Sequence, residues 1–239
     1  GYCDIATGCA RLLGIRLPVN FDSPYRSVSV GEFWKRWHMT LTSFLRECLY
    51  FPLGGSRRGT ARTCRNILIV YLVSGLWHGT GWTFLVWGLL HGAAQVAERL
   101  LGKRLDALPK AARWGLTFLF VNFAWVFFQA PSLSAAGELL RSVFLGGGGI
   151  PWETLAAGAL DSEAAALRTV LPFLEKAVPM LLVLGLLGIG LAVSLRRESV
   201  IRRMETFRPT PVRALVCGGL LMWAVTSFSS TATFIYSNF

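Results

Sequence analysis

The feature that most constrains this chain is the stretch from Asn66 to Arg99, which turns on Ser74-Gly75-Leu76-Trp77-His78-Gly79-Thr80-Gly81-Trp82. An almost unbroken apolar run, Ile67 to Leu76, precedes this motif, and another, Trp82 to Leu90, follows it. Together they exceed the ~20 residues that a membrane-crossing helix needs. Yet the middle holds a histidine among Gly75, Gly79 and Gly81, which weakens a helix where it most needs continuity. In lipid, a broken backbone persists only where protein or a water-filled cavity satisfies its polar groups. An ionisable residue at such a break is costly and points by default to function. The alternative is a satisfied core histidine.

Composition agrees with a membrane setting. The chain is 53% hydrophobic, 13% aromatic and 15% charged, with a mean hydropathy of +0.50, unlike a typical soluble domain. A net charge of +11 would suggest nucleic acid in a soluble protein. Here the arginines sit beside apolar spans rather than along one basic face, which marks cytoplasmic loops instead. No nucleic-acid partner is expected. Cys3, Cys9, Cys48, Cys64 and Cys217 are odd in number and form no paired motif, so they imply neither a disulfide framework nor a metal site. Three well-separated histidines add no metal signature. The sequence opens at Gly1 without methionine, charged leader or cleavage site. It reads as the C-terminal part of a longer chain.

From the start, Gly1 to Ile15 is apolar but carries Asp4 and Arg11, and resembles the end of a membrane helix. Asp4 either lines a polar interior or sits as a helix-end carboxylate at the interface. The prolyl segment Leu17 to Tyr25 cannot be regular helix throughout. Ser29-Val30-Gly31-Glu32 then fits a capping box. Phe33, Trp34, Trp37, Leu41, Phe44, Leu45 and Cys48 recur at helical spacing. This predicts one amphipathic helix of about 16 to 20 residues, in or near the membrane interface. His38 falls on its Trp34, Leu41, Thr42 and Leu45 side, as an interfacial packing residue or a functional one. Next comes a glycine- and arginine-rich loop, Tyr50 to Gly59. Its amides, Arg57 and Arg58 could hold a phosphate. It is no P-loop, and an ordinary cytoplasmic loop needs no ligand.

Charge constrains topology. Arg57, Arg58, Arg62 and Arg65 precede the central stretch, and Arg99, Lys103, Arg104, Lys110 and Arg113 follow it. Both flanks look cytoplasmic, which two half-helices meeting near His78 and returning to one side would explain. Three further apolar segments are expected, at Trp114 to Phe128, Val178 to Leu195 and Ala214 to Phe228; the first is short for a span. Gln129 to Lys176 reads as a loop with an amphipathic piece, Ala135 to Phe144, and a hinge, Gly146 to Gly149. The arginine-rich segment 196–213 is cytoplasmic on this reading, and the tail Phe234 to Phe239 lies outside.

Four stretches in order carry a resemblance. They are Gly1-Tyr2-Cys3-Asp4-Ile5-Ala6, Glu32-Phe33-Trp34-Lys35-Arg36-Trp37-His38, Tyr50 to Gly55, and Gly75-Leu76-Trp77-His78-Gly79. With these the chain resembles the membrane-bound O-acyltransferase family, in its bacterial branch of alginate O-acetylation and teichoic acid D-alanyl transfer proteins. The matches are dense over residues 1 to about 130. The resemblance implies a multi-helix membrane fold around a thin centre, where a tunnel brings donor and acceptor together. It implies acyl transfer from a cytoplasmic thioester towards an extracytoplasmic polymer. It makes His78 the counterpart of the family's catalytic histidine and His38 that of its second functional histidine. Trp34, Trp37, Trp77, Asp4, Arg57 and Arg58 become candidate substrate- or donor-binding residues. Two positions depart from the family pattern: Phe128-Gln129-Ala130 stands where Phe-Arg-Ala is usual, and Cys3 replaces a serine.

The chemistry follows from the residues. Moving an acyl group to a hydroxyl needs a base for the hydroxyl proton, and neutral imidazole suits that near neutral pH. His78 is the expected general base; His38 would orient the acceptor, polarise the carbonyl or assist proton transfer. No serine or cysteine pairs with a histidine in a nucleophile motif, which favours direct transfer, with Cys48 the exception to watch. His91 reads as helix packing or an interfacial hydrogen bond.

The expectation is therefore an all-α, polytopic membrane protein with several transmembrane helices, an interfacial amphipathic helix and a broken or re-entrant pair around His78. Residues 1–239 form a single membrane domain, with 1–130 the motif-bearing core and 131–239 C-terminal helices. It would act in the bacterial cytoplasmic membrane as a multi-pass O-acetyltransferase with no bound cofactor. Acetyl-CoA or another acyl thioester would be the donor. A cell-envelope polysaccharide or an extracytoplasmic acyltransferase would receive the acyl group. A transporter with a broken-helix site and a non-catalytic scaffold of a polymer-modification complex are the alternatives.

Overall fold

The computed structural model describes residues 2–146, 149–196 and 200–226 of the chain. Gly1, part of the 146–149 hinge, Arg197 and the tail Phe234 to Phe239 lie outside the described residues, as does the end of the last apolar segment. Among the described residues the regular structure is helical, without strands. In order the helices are α1 (Tyr2–Leu12), α2 (Val30–Arg36), α3 (Met39–Leu45), α4 (Thr60–His78), α5 (Trp82–Asp106), α6 (Lys110–Gln129), α7 (Leu133–Leu145), α8 (Trp152–Val170), α9 (Val178–Ser194), α10 (Val200–Glu205) and α11 (Pro211–Thr226). They divide into two compact units, residues 1–147 with 194–202, and 148–193 with 203–239.

The first unit is built on α4 and α5. The expected break falls at residues 79–81, between helices of 19 and 25 residues. At 1.5 Å per residue these are about 28 and 37 Å long. They run back along each other with backbones in contact. A Cβ on Gly75 would strike the Phe84 carbonyl, and one on Gly88 the Tyr71 carbonyl. Small residues at a crossing permit this approach. Beside the pair, α2 and α6 close a core of Val30, Phe33, Trp34, Trp87, Val121 and Ala124. The prolyl loop is pinned to α6. Trp114 Nε1 donates to the Tyr25 carbonyl at 2.9 Å, and Trp125 Nε1 to the Tyr25 hydroxyl at 3.0 Å.

The capping box forms at α2. Ser29 Oγ accepts the Glu32 N–H at 2.9 Å, and the Glu32 carboxylate reaches back to the Val28 N–H at 3.0 Å. Burial pushes the Glu32 carboxyl up, but the Val28 amide and Arg36 outweigh it, so it titrates below its ordinary value. A second carboxylate, Glu98 of α5, takes the amides of Val30 and Gly31. The helix does not continue for the expected 16 to 20 residues. It stops at Arg36, restarts at Met39, and passes from α3 into a wider π-turn over Arg46–Tyr50. The prolyl loop explains the interruption. Asn20 accepts the Met39 N–H on its carbonyl at 2.9 Å and the Thr40 N–H and hydroxyl on Oδ1 at 3.2 and 2.9 Å, while Asp22 N–H donates to the Arg36 carbonyl at 2.9 Å. These bonds replace the i to i−4 ladder that a continuous helix would make.

Lys110–Gln129 is long and apolar enough to cross a membrane; Val178–Ser194 and Pro211–Thr226 are shorter apolar helices. In the second unit, α8 occupies much of the stretch expected as loop. Its alanines favour helix, and Trp152, Leu155, Leu160 and Leu167 recur at helical spacing. An apolar cleft is lined by Leu167, Leu181, Gly185, Ile189 and Trp223. Trp223 Nε1 donates to the Glu163 carboxylate at 2.5 Å.

Candidate active site

His78 is the last residue of α4, and Gly79 ends the helix beside the Phe84 ring, where a Cβ would not fit comfortably. Only 8% of His78 is exposed. Its imidazole sits edge-on to three rings, Trp77 at 4.8 Å, Phe128 at 4.9 Å and Trp87 at 5.2 Å between centroids. Trp77 is also edge-on to His38 at 5.8 Å, so one exposed indole stands between the two histidines.

His38 is placed by the interruption between α2 and α3. Its backbone is left-handed, at φ 44° and ψ 54°, a conformation unfavourable to a side chain with a Cβ. Residues held this way persist where surroundings over-determine them, and they concentrate at functional sites. Here the Asn20 bonds to Met39 and Thr40 supply that constraint. The His38 ring is half-buried, and Nδ1 has no hydrogen-bond partner from another residue. Burial lowers its pKa, so the neutral form is favoured.

The structure brings together His38, Trp77 and His78, and sets Trp34 and Trp37 in the adjoining aromatic layer. Trp37 stacks on Phe33 at 5.4 Å and meets Trp125 at 5.0 Å. Trp34 is buried in the core and donates Nε1–H to His91 Nδ1 at 3.1 Å. This bond leaves the proton of a neutral His91 on Nε2. His91 is fully enclosed, stacked on Phe33 and edge-on to Trp34, Trp87 and Phe120. It is the helix-packing histidine with a hydrogen bond that the sequence suggested. Asp4 is exposed in the first turn of α1. Arg57 and Arg58 are exposed in the loop after the π-turn. That loop is held from below by buried Asn66, whose Nδ2 donates to the Leu53 and Gly55 carbonyls, both at 3.1 Å.

Sequence reasoning missed Ser74, Trp87 and Phe128. Ser74 Oγ, one helical turn before His78, and Trp87 Nε1 are buried without hydrogen-bond partners among the described residues. A signal for Trp87 existed. Folding the stretch back about Gly79 and Gly81 sets Gly75 against Gly88, which carries Trp87 to His78. The resulting centre combines an imidazole at a helix end, a second imidazole one ring away and buried polar atoms with unused capacity. Such a centre can accept a proton and hold a polar group in an apolar surround.

Residues 1–135 match the membrane-bound O-acyltransferase family. A peptidoglycan O-acetyltransferase of Helicobacter pylori is 46% identical over 147 residues, which is 60% of this chain and 28% of that protein. A protein named probable alginate O-acetylase, from Azotobacter vinelandii, is 44% identical over 147 residues, 60% of this chain and 29% of its own length. A teichoic acid D-alanyltransferase of Streptococcus thermophilus is 34% identical over 103 residues, 40% of this chain and 25% of that protein. The chain thus spans less than a third of the length of these relatives. The matched region holds the whole His38–Trp77–His78 assembly and more than half of the sequence, and on it this chain belongs to the membrane-bound O-acyltransferase family.

Proposed function

We propose that the protein is a multi-pass O-acetyltransferase of the bacterial cytoplasmic membrane. It moves an acetyl group from acetyl-CoA, or a related acyl thioester, towards a hydroxyl of a cell-envelope polysaccharide, directly or through an extracytoplasmic partner. The observation that carries this reading is the His78 imidazole at the helix break, joined to His38 through Trp77, inside the family-matched region. The names of the relatives support an acyl group and an envelope polymer.

In the reaction, His78 takes the proton of the acceptor hydroxyl as its oxygen attacks the thioester carbon. The carbon–sulfur bond then breaks, and the proton passes to the leaving thiolate, giving an ester and a free thiol. His38 orients the acceptor across Trp77. Arg57 and Arg58, on the loop braced by Asn66, meet the phosphates of the donor; Trp34 and Trp37 shape the wall behind the histidines, and Asp4 contributes to the acceptor side.

The α4 and α5 helices form a re-entrant pair that enters the bilayer and returns to the same side at the break near His78, leaving Arg62 and Lys103 both cytoplasmic. Labelling that found Arg62 and Lys103 on opposite faces would overturn this topology. For the chemistry, labelled acetyl-CoA is supplied to membranes holding the full-length protein, wild type beside His78→Ala at matched expression and extraction. Product from the wild type alone supports His78 as base. Equal product from both removes it and favours a scaffold role.

A further inference from the structure

The indole N–H groups of Trp34, Trp87, Trp114 and Trp125 fare differently. Trp34 donates to His91 Nδ1, Trp114 to the Tyr25 carbonyl and Trp125 to the Tyr25 hydroxyl. Trp87 is 1% exposed, and its Nε1 has no partner among the described residues. Buried polar groups are nearly always paired, so an orphan of this kind asks for a reason. The position of Trp87 suggests one: its ring lies 5.2 Å from His78, edge-on. His91 also has an unpartnered nitrogen, Nε2, but it is shut inside Phe33, Trp34, Tyr71 and Phe120. Of Trp87 and His91, Trp87 is the one in ring contact with the proposed base.

We propose that the indole N–H of Trp87 is the hydrogen-bond donor to the acyl carbonyl oxygen during transfer, a role that rests on the acyl-transfer reading above. When the acceptor oxygen attacks the thioester carbon, the carbonyl electron pair moves onto its oxygen. That oxyanion forms in an apolar surround, where a fixed donor stabilises it far more than water would. The carbonyl re-forms as the carbon–sulfur bond breaks, and the proton held by His78 goes to the sulfur. Trp87 gains and loses no proton. The Phe128 ring touches both partners, at 4.9 Å from His78 and 5.2 Å from Trp87, and is the group that an entering acyl carbonyl displaces. Stacking on Trp125 at 6.0 Å and contact with Trp34 at 5.7 Å hold the Trp87 ring in place.

The test uses the full-length protein in lipid vesicles with acetyl-CoA as the probe, comparing wild type, Trp87→Phe and a variant with benzothienylalanine at position 87. The last keeps the bicyclic shape and lacks the N–H. Each is first matched to wild type by thermal melting. Loss of the donor is expected to lower kcat about 10²-fold in both variants, with the KM for acetyl-CoA kept within about twofold. A second measurement follows the infrared stretch of carbonyl-labelled acetyl-CoA bound to His78→Ala protein. The band should lie below the position it takes when Trp87→Phe is added. Wild-type kcat in the well-folded benzothienylalanine variant, or an unmoved band, would overturn the role of Trp87 while leaving acyl transfer intact. A wild-type protein that moves no acetyl group from acetyl-CoA would sink the acyl-transfer reading itself, and this inference with it.

Discussion

The two ends of the α4–α5 hairpin treat their polar groups in opposite ways. At the base, Asn66 is fully buried and fully used, donating to the Leu53 and Gly55 carbonyls and accepting from Arg65. Glu98 takes two backbone amides of α2, and Gln95 donates to the Tyr71 hydroxyl at 2.9 Å. At the tip, Ser74 Oγ and Trp87 Nε1 are buried without partners among the described residues, and His38 is held in a left-handed backbone. A protein can satisfy buried polar groups, as the base demonstrates. Ser27 Oγ and His91 Nε2 are open away from the tip as well, so it is the contact of Trp87 with His78 that suits the tip to a group arriving from outside. Variants at the tip should depress chemistry more than folding, and those at the base the reverse.

The largest expected effect is at the tip. His78→Gln keeps a polar side chain of similar reach but cannot act as a base, so acetyl transfer should drop about 10³-fold. The melting temperature of the detergent-solubilised protein should stay close to wild type. A large loss of stability with residual transfer in proportion would erase the distinction between the two ends.

Asn66→Ala tests the base. It strips a buried donor from two carbonyls and an acceptor from Arg65. Unpaired buried groups cost about 1–3 kcal/mol each, so a loss of roughly 3 kcal/mol is expected. It should appear in denaturant titration, while transfer per folded molecule remains near wild type.

His38→Gly separates the two properties at one residue. Glycine accepts φ 44° without the clash a Cβ meets, so stability should rise by about 1 kcal/mol. Transfer should nevertheless fall, because the second imidazole is gone. If stability drops instead, the left-handed turn is held by the ring rather than by the Asn20 bonds.

Much of this contrast was hidden in the sequence for definable reasons. The central break, the long apolar stretches and the Ser29 cap were legible because glycine, apolar runs and Ser-x-x-Glu act locally. The interruption at His38 was not, since it depends on Asn20, 18 positions earlier in the chain and joined to Met39 only by folding. A helical period read across Trp34, Leu41 and Leu45 passes over it without a mark. Glu98 was invisible as a cap for the same reason, lying 68 residues from Val30. Helix α8 was legible in principle, since Trp152, Leu155, Leu160 and Leu167 recur at helical spacing among its alanines, but its stretch was expected as loop. At the site, His38, Trp77 and His78 were named from motifs. Trp87 required the hairpin register, which Gly75 and Gly88 encode through backbone contact rather than through any periodic signal.

The smallest effect is the one that tests whether a buried histidine is by itself a sign of chemistry. His91 is more deeply buried than His78, at 0% against 8% exposed, and lies in the same hairpin. Its place is set by its surroundings: Trp34 Nε1 donates to His91 Nδ1 at 3.1 Å, and five rings close around it. Trp34→Phe removes that donor while keeping an aromatic ring against Tyr71 and Trp87. The neutral imidazole then loses its tautomer lock and leaves Nδ1 unpaired, for a loss of about 1–2 kcal/mol in denaturant titration. Transfer should change by less than about threefold, because a role in packing reaches the reaction only through small shifts in geometry. The comparison with Trp87→Phe is direct, since each change deletes one indole N–H from the same aromatic layer. If Trp34→Phe proved as damaging to kcat as Trp87→Phe, the enclosed histidine would belong to the catalytic centre. The boundary between tip and base would then move a full helical turn along α5.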